Sequence, residues 1–262
     1  MSSHHIPRIE GSAGARRHFR YFDFMMAAFV AILLLSNLIG AAKLTSVWGY
    51  TFGAGILFFP VSYVLGDVLT EVYGYAHARR CVWVGFFALL FMAFMSFVVV
   101  AMPPAPGWGC ASSGDPRFAE IVAKTSAGAV CQTTYDSVFG STWRIVLASV
   151  TAFWAGEFVN SFVLARMKVW TGGKYLFTRT WGSTIFGQAV DSVLFYPIAF
   201  LGTWETADVI HVMITNWAMK VLWEIILTPA TYAIVGFLKR QEGVDVFDTD
   251  IDFSPFAVSE DA

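Results

Sequence analysis

Residues 142–165 read TWRIVLASVTAFWAGEFVNSFVLA. The run is longer than the roughly 20 apolar residues a helix needs to cross a bilayer. It nevertheless keeps Glu157, Asn160 and Ser161 in its second half. Positions three and four apart fall on one side of a helix, so this stretch predicts a membrane helix with one polar edge. Five further segments qualify as spans: 22–42, 54–73, 82–102, 180–201 and 207–238. The expectation is an all-α integral membrane protein with six transmembrane helices. The last segment exceeds one span and contains Pro229. Proline removes a helical hydrogen bond, so a tilt or break is expected there.

Composition points the same way. Of the 262 residues, 56% are hydrophobic and only 14% charged, against roughly 45–50% and 25% in a soluble domain. Mean hydropathy is +0.60. Aromatic residues make up 17%, as suits lipid-facing surfaces and interfacial belts. There is no long basic run, so nucleic acid is not an expected partner; membrane lipid is.

The run 22–42 is long enough to span, so it is read as a first helix and not as a cleaved leader. With the N-terminus inside, the inner segments hold Arg8, Arg16, Arg17, Arg20, Arg79, Arg80, Arg166, Lys168, Lys174, Arg179, Lys239 and Arg240. The outer segments hold only Lys43, Arg117, Lys124 and Arg144. The positive-inside rule then puts both termini in the cytoplasm, as in a multi-pass protein of a bacterial inner membrane. The expected organisation is a cytoplasmic tail at 1–20, a membrane domain at 21–240 with an outer loop at 103–141, and an acidic cytoplasmic tail at 241–262, solvated because its composition resembles that of disorder. Cys110 and Cys131 both lie in the outer loop. In an oxidising compartment they could close it as a disulfide; the alternative is two free thiols. Homo-oligomerisation is left open.

Ionisable groups at membrane depth cost roughly 2.5–3.5 kcal/mol each, yet every span but the third keeps polar groups. Asn37 lies in the first, and Asp67 and Glu71 in the second. Glu157, Asn160 and Ser161 lie in the fourth. The fifth carries Ser183 or Thr184, Gln188 and Asp191. Asn216, Lys220 and Glu224 repeat every four residues in the sixth. Lys220 with Glu224 could form an ion pair within one helix, and Glu71 could meet Arg79 or Arg80. Pairing cannot satisfy the whole set, because Asp67, Glu157, Asp191 and Glu224 face a single intramembrane cation, Lys220. The remaining acids must be protonated, hydrated or matched by a ligand. Trp154, Phe186, Phe195, Trp217 and Trp223 lie nearby in sequence; each alone suits membrane packing, and together they could sandwich a flat heteroaromatic solute. One internal echo stands out, GEFVNS at 156–161 against GQAVDS at 187–192. Each copy offers a small residue for close helix packing with polar groups beside it.

The sequence has no phosphate-binding Gly-x-x-x-x-Gly-Lys loop, His-Glu-x-x-His zinc motif or Gly-x-Ser-x-Gly elbow. His4, His5, His18, His77 and His211 lie in the tail, at loops or at helix ends. The chain is therefore read as a handler of a small solute and not as an enzyme, with neither metal nor cofactor.

Several of these stretches occur together in a recognisable order: Ser36-Asn37, Phe59-Pro60, LGDVLTEVYG at 65–74, Ala78-Arg79-Arg80, GEFVNS at 156–161, RTWGST at 179–184, Gln188, Asp191-Ser192, then Lys220, Glu224, Pro229 and Tyr232. In this the chain resembles the queuosine precursor transporter family, a branch of the vitamin uptake transporters, over about residues 25–240. The resemblance implies a six-helix fold similar to the substrate-binding subunits of energy-coupling-factor transporters. It also implies uptake of purine-like 7-deazaguanine bases that support queuosine modification of tRNA, without a dedicated ATPase. The alternative is a substrate-binding subunit of an ATPase-driven vitamin uptake complex. A deazaguanine presents adjacent N–H donors that a carboxylate accepts in pairs; Glu157, Asp191 or Glu224 could serve. Asn37, Asn160, Gln188 or Lys220 could donate to its carbonyl. Asp67 completes the acidic set, and Trp154, Phe186 and Trp217 are the candidate stacking partners. Proton coupling and facilitated diffusion both remain compatible.

Overall fold

A computed structural model describes residues 8–10, 19–40, 44–47, 50–53, 58–103, 132–140, 143–202, 204–249 and 251–257. Helices dominate: α1 Phe22–Gly40, α2 Phe59–Tyr73, α3 Tyr75–Ala101, α4 Gln132–Phe139, α5 Trp143–Trp170, α6 Leu176–Phe200 and α7 Thr206–Glu242. Two small sheets accompany them. Strand β1 (Arg8–Glu10) pairs in parallel with β4 (Asp245–Phe247), and β2 (Leu44–Val47) pairs antiparallel with β3 (Tyr50–Gly53). Among the described residues, four helices are long and apolar enough to cross a membrane: α1, α3, α5 and α7.

Helix α2 differs from the expected span 54–73. It starts at Phe59, with Pro60 in its first turn, where a missing N–H costs no hydrogen bond. Its 15 residues reach only about 22 Å at 1.5 Å per residue. From Ser62 to Tyr73 every side chain is buried. This helix forms the centre of the bundle and has little lipid-facing surface, packing against α1, α3, α5 and α7. Helix α7 runs unbroken through Pro229 from Thr206 to Glu242; no break interrupts it.

The sequence echo marks a close crossing of α5 and α6. A Cβ placed on Gly156 of α5 would lie 3.0 Å from the Gly187 carbonyl oxygen of α6. One on Gly187 would lie 3.0 Å from the Gly156 carbonyl oxygen and 2.7 Å from Asn160 Cβ. Only glycine lets the two backbones approach so closely, and this brings the polar residues beside each glycine face to face.

The C-terminal segment is not the solvated tail its composition suggested. Asp248 is buried and accepts the Tyr75 backbone N–H on both oxygens, at 3.1 Å each. Tyr75 donates its hydroxyl to the Phe253 carbonyl, Arg79 donates to the carbonyls of Asp252 and Ser254, and Trp83 donates to that of Pro255. Phe253 lies under the Arg166 guanidinium, 4.5 Å from ring centroid to charge, and Phe256 packs on Trp83 and Trp154. The acids dominate the composition, but Val244, Phe247, Phe253 and Phe256 recur between them and hold the segment against α3 and α5. Burial pushes the Asp248 carboxyl up to about 6, against the opposing pull of the Tyr75 N–H and the Lys168 charge. Cys110 and Cys131 lie outside the described residues.

Candidate functional site

Two polar layers cross the bundle, and they differ in kind. One is a saturated ion network. Glu71 of α2, fully buried, receives Arg179 Nε and Nη2 at 2.7 Å each and Lys239 Nζ at 2.5 Å; Lys168 Nζ stands 3.5 Å away. Asp245 of β4 closes the network at 2.8 Å from both Lys168 and Lys239. The expected Arg79 or Arg80 partner for Glu71 is thus replaced by three cations from α5, α6 and α7. Arg79 turns instead to the C-terminal segment. Both acids here are paired, shared among three cations, with Arg179 bidentate on Glu71, so the layer ties α2, α5, α6, α7 and β4 together.

The other layer is unsaturated. Along α2, Tyr63 and Asp67 are one turn apart; α5 contributes Glu157 and Asn160, α6 contributes Thr184, Gln188, Asp191 and Ser192, and α7 contributes Lys220 and Glu224. Asn160 Nδ2 donates to Asp67 Oδ1 at 2.7 Å. Lys220 pairs with Asp191 at 2.5 Å, across two helices and not within its own turn to Glu224; its ammonium also lies 4.9 Å from the Phe59 ring centroid. The Asp67 carboxyl faces those of Glu224 and Glu157. The following buried atoms have no protein hydrogen-bond partner: Asp67 Oδ2, Trp154 Nε1, both oxygens of Glu157, Asn160 Oδ1, both ends of the Gln188 amide, Ser192 Oγ and Glu224 Oε2; the hydroxyls of Tyr63 and Thr184 lie toward Asp191 and Glu224. A native interior leaves only a few such atoms per hundred residues, and each costs roughly 1–3 kcal/mol. They are concentrated between α2, α5, α6 and α7.

The chemistry of the layer follows from its donor and acceptor inventory. Acceptors dominate, led by Glu157, neither of whose oxygens has a donor partner. Glu157 also explains Gly66, because a Cβ on that glycine would overlap Glu157 Oε1. Gln188 is buried and supplies one donor and one acceptor. Among the described residues, no three His, Cys, Asp or Glu side chains are grouped to hold a metal.

The structure thus brings together Asp67, Glu157, Asn160, Gln188, Asp191, Lys220 and Glu224. It does not bring in the expected aromatic set. Phe186 is 59% exposed and points out of the bundle. Trp217 donates to the Ile185 carbonyl at 3.2 Å, pinning α7 to α6. Trp154 packs among Trp83, Phe158 and Phe256, and its buried indole N–H has no hydrogen-bond partner. Asn37 donates to the Leu33 carbonyl of its own helix. The aromatic groups that do adjoin the layer are Tyr63 and Phe59, with ring centroids 6.0 Å apart. Their spacing was the available signal: Phe59, Tyr63 and Asp67 repeat every four residues on one face of α2.

Comparison with known proteins gives two findings. A family described as "Putative vitamin uptake transporter" matches residues 53–234. A "Probable queuosine precursor transporter" of Bacillus subtilis (strain 168) is 27% identical over 201 residues, covering 76% of this chain and 79% of that protein. No solved structure matches.

Proposed function

Because the chain belongs to the vitamin uptake transporter family, we propose that it carries 7-deazaguanine precursors of queuosine across a bacterial inner membrane. The observation that carries this reading is Glu157, an acid in the bundle interior with two unpartnered oxygens, together with the equally unpartnered amide of Gln188 on the crossing helix α6. The aminopyrimidinone edge of a deazaguanine offers two adjacent N–H donors and a carbonyl. Glu157 takes the donors and Gln188 answers the carbonyl. Tyr63 and Phe59 supply the apolar faces for the flat ring, and an aminomethyl substituent finds compensation among the acids. In this reading α2 and α6 complete six spans with the four long apolar helices, both termini lie in the cytoplasm, and the arrangement is akin to energy-coupling-factor binding subunits. The relative's name supports the choice of substrate.

The test is uptake of radiolabelled 7-deazaguanines by a precursor-auxotrophic bacterium expressing this gene. The expected result is uptake by the parent protein and its loss in Glu157→Gln, with membrane insertion unchanged. Repeating it in cells lacking every energy-coupling-factor ATPase separates an autonomous carrier from a subunit of an ATPase-driven complex. Normal uptake by Glu157→Gln removes the site assignment.

A further inference from the structure

The site holds more acid than a neutral solute requires. Lys220 is committed to Asp191, and Lys168, Arg179 and Lys239 are drawn to Glu71 in the other layer. Asp67 and Glu224 are left facing one another within hydrogen-bonding reach, 1% and 2% exposed. Asn160 holds Asp67 Oδ1 and the Thr184 hydroxyl lies toward Glu224, while Asp67 Oδ2 and Glu224 Oε2 still have no donor between them. Two carboxylates cannot sit face to face in a desolvated layer with both ionised, and one shared proton supplies the missing donor.

We propose that the Asp67–Glu224 pair is a proton site and that this chain couples solute entry to proton entry. This rests on the transport reading above. The charged and titratable groups surrounding the pair are Tyr63 on α2, Glu157 on α5, Asp191 on α6 and Lys220 on α7. With all four acids ionised, Lys220 leaves a net charge of −3 (one cation, four anions) in the layer; the shared proton reduces it to −2. Charge buried at this depth resists any movement that exposes it to hydrocarbon. The loaded, desolvated carrier therefore changes its facing with the pair protonated, and the empty carrier, with water in the solute's place to hydrate the extra charge, returns deprotonated. The solute occupies the adjoining Glu157–Gln188 seat, so one proton accompanies each solute from the outer face and leaves from Asp67 or Glu224 at the inner face.

The experiment uses the full chain in proteoliposomes, with labelled 7-deazaguanine outside and a pH-sensitive dye trapped inside. Uptake should acidify the lumen, and an imposed inward proton gradient should drive accumulation above the external level, abolished by an uncoupler. Uptake that only equilibrates, with no acidification, overturns the proposal. Infrared spectra at neutral pH judge the proton site independently of transport. A protonated-carboxyl band should fall equally in Asp67→Asn and Glu224→Gln, and an unchanged band in both variants overturns the pair as its seat. Failure of the base to bind or cross would remove the proposed substrate and leave the infrared result to decide the proton site.

Discussion

Replacing Glu71 by Gln should damage the molecule more than any change at the lipid-facing surface. The carboxylate is fully buried and is the common partner of Arg179, Lys239 and Lys168, two of which are at most 2% exposed. Each ion pair near 4 Å is worth about 4 kcal/mol at an effective dielectric of about 20, before desolvation is subtracted. Removing the acid while keeping the cations leaves three positive charges facing Asp245 alone. Breaking a buried pair in this way costs about 3–5 kcal/mol. At roughly 2–4 °C per kcal/mol for a chain of this size, Tm should fall by about 6–20 °C. Tryptophan fluorescence on detergent-purified protein measures this. Adding Lys239→Met to Glu71→Gln removes one orphaned cation and should recover part of the loss, giving a coupling in the double-mutant cycle. A single variant that melts with the parent would refute the view that this network holds α2, α5, α6 and α7 together.

Gly66→Ala should fold and insert, because the new Cβ meets only the flexible end of Glu157. It should weaken uptake of the labelled base at least tenfold by displacing that carboxylate, and unchanged uptake would disconnect Glu157 from the solute. Lys220→Met should lower thermal stability by leaving Asp191 buried without its cation, and Lys220→Met with Asp191→Asn should restore it; no rescue would mean the pair is not coupled. Asp248 gives a pH signature. Its folded value of about 6 lies above the ordinary 3.8, so between those values the folded chain holds a proton the unfolded chain has lost. Stability therefore falls as pH rises from about 4 to 6, by up to about 3 kcal/mol. Asp248→Asn should abolish that component, as read from the difference between the two melting curves.

The polar edges were legible in the sequence because helical spacing is a local property. Glu157 with Asn160, Gln188 with Asp191, and Lys220 with Glu224 each share a face whatever surrounds them. The echo at 156–161 and 187–192 pointed to two glycines that turn out to face each other. Pairing between helices was not legible: sequence spacing allowed Lys220 with Glu224, but the crossing of α6 and α7 supplies Asp191 instead. Aromatic roles were also hidden, since they turn on the angle around the helix: Phe186, two residues from both Thr184 and Gln188, lies about 200° around the helix from each. Phe186 accordingly faces outward. The docked C-terminus was missed because its acids outweigh its phenylalanines in composition, while the phenylalanines decide where it packs.

The most direct test is an experimental structure of the chain with a bound 7-deazaguanine. The base should lie between α2, α5, α6 and α7, its N–H edge on both Glu157 oxygens and its carbonyl at the Gln188 amide. A base seated elsewhere, with Glu157 and Gln188 still untouched, would contradict the reading of these unpartnered atoms as the substrate seat.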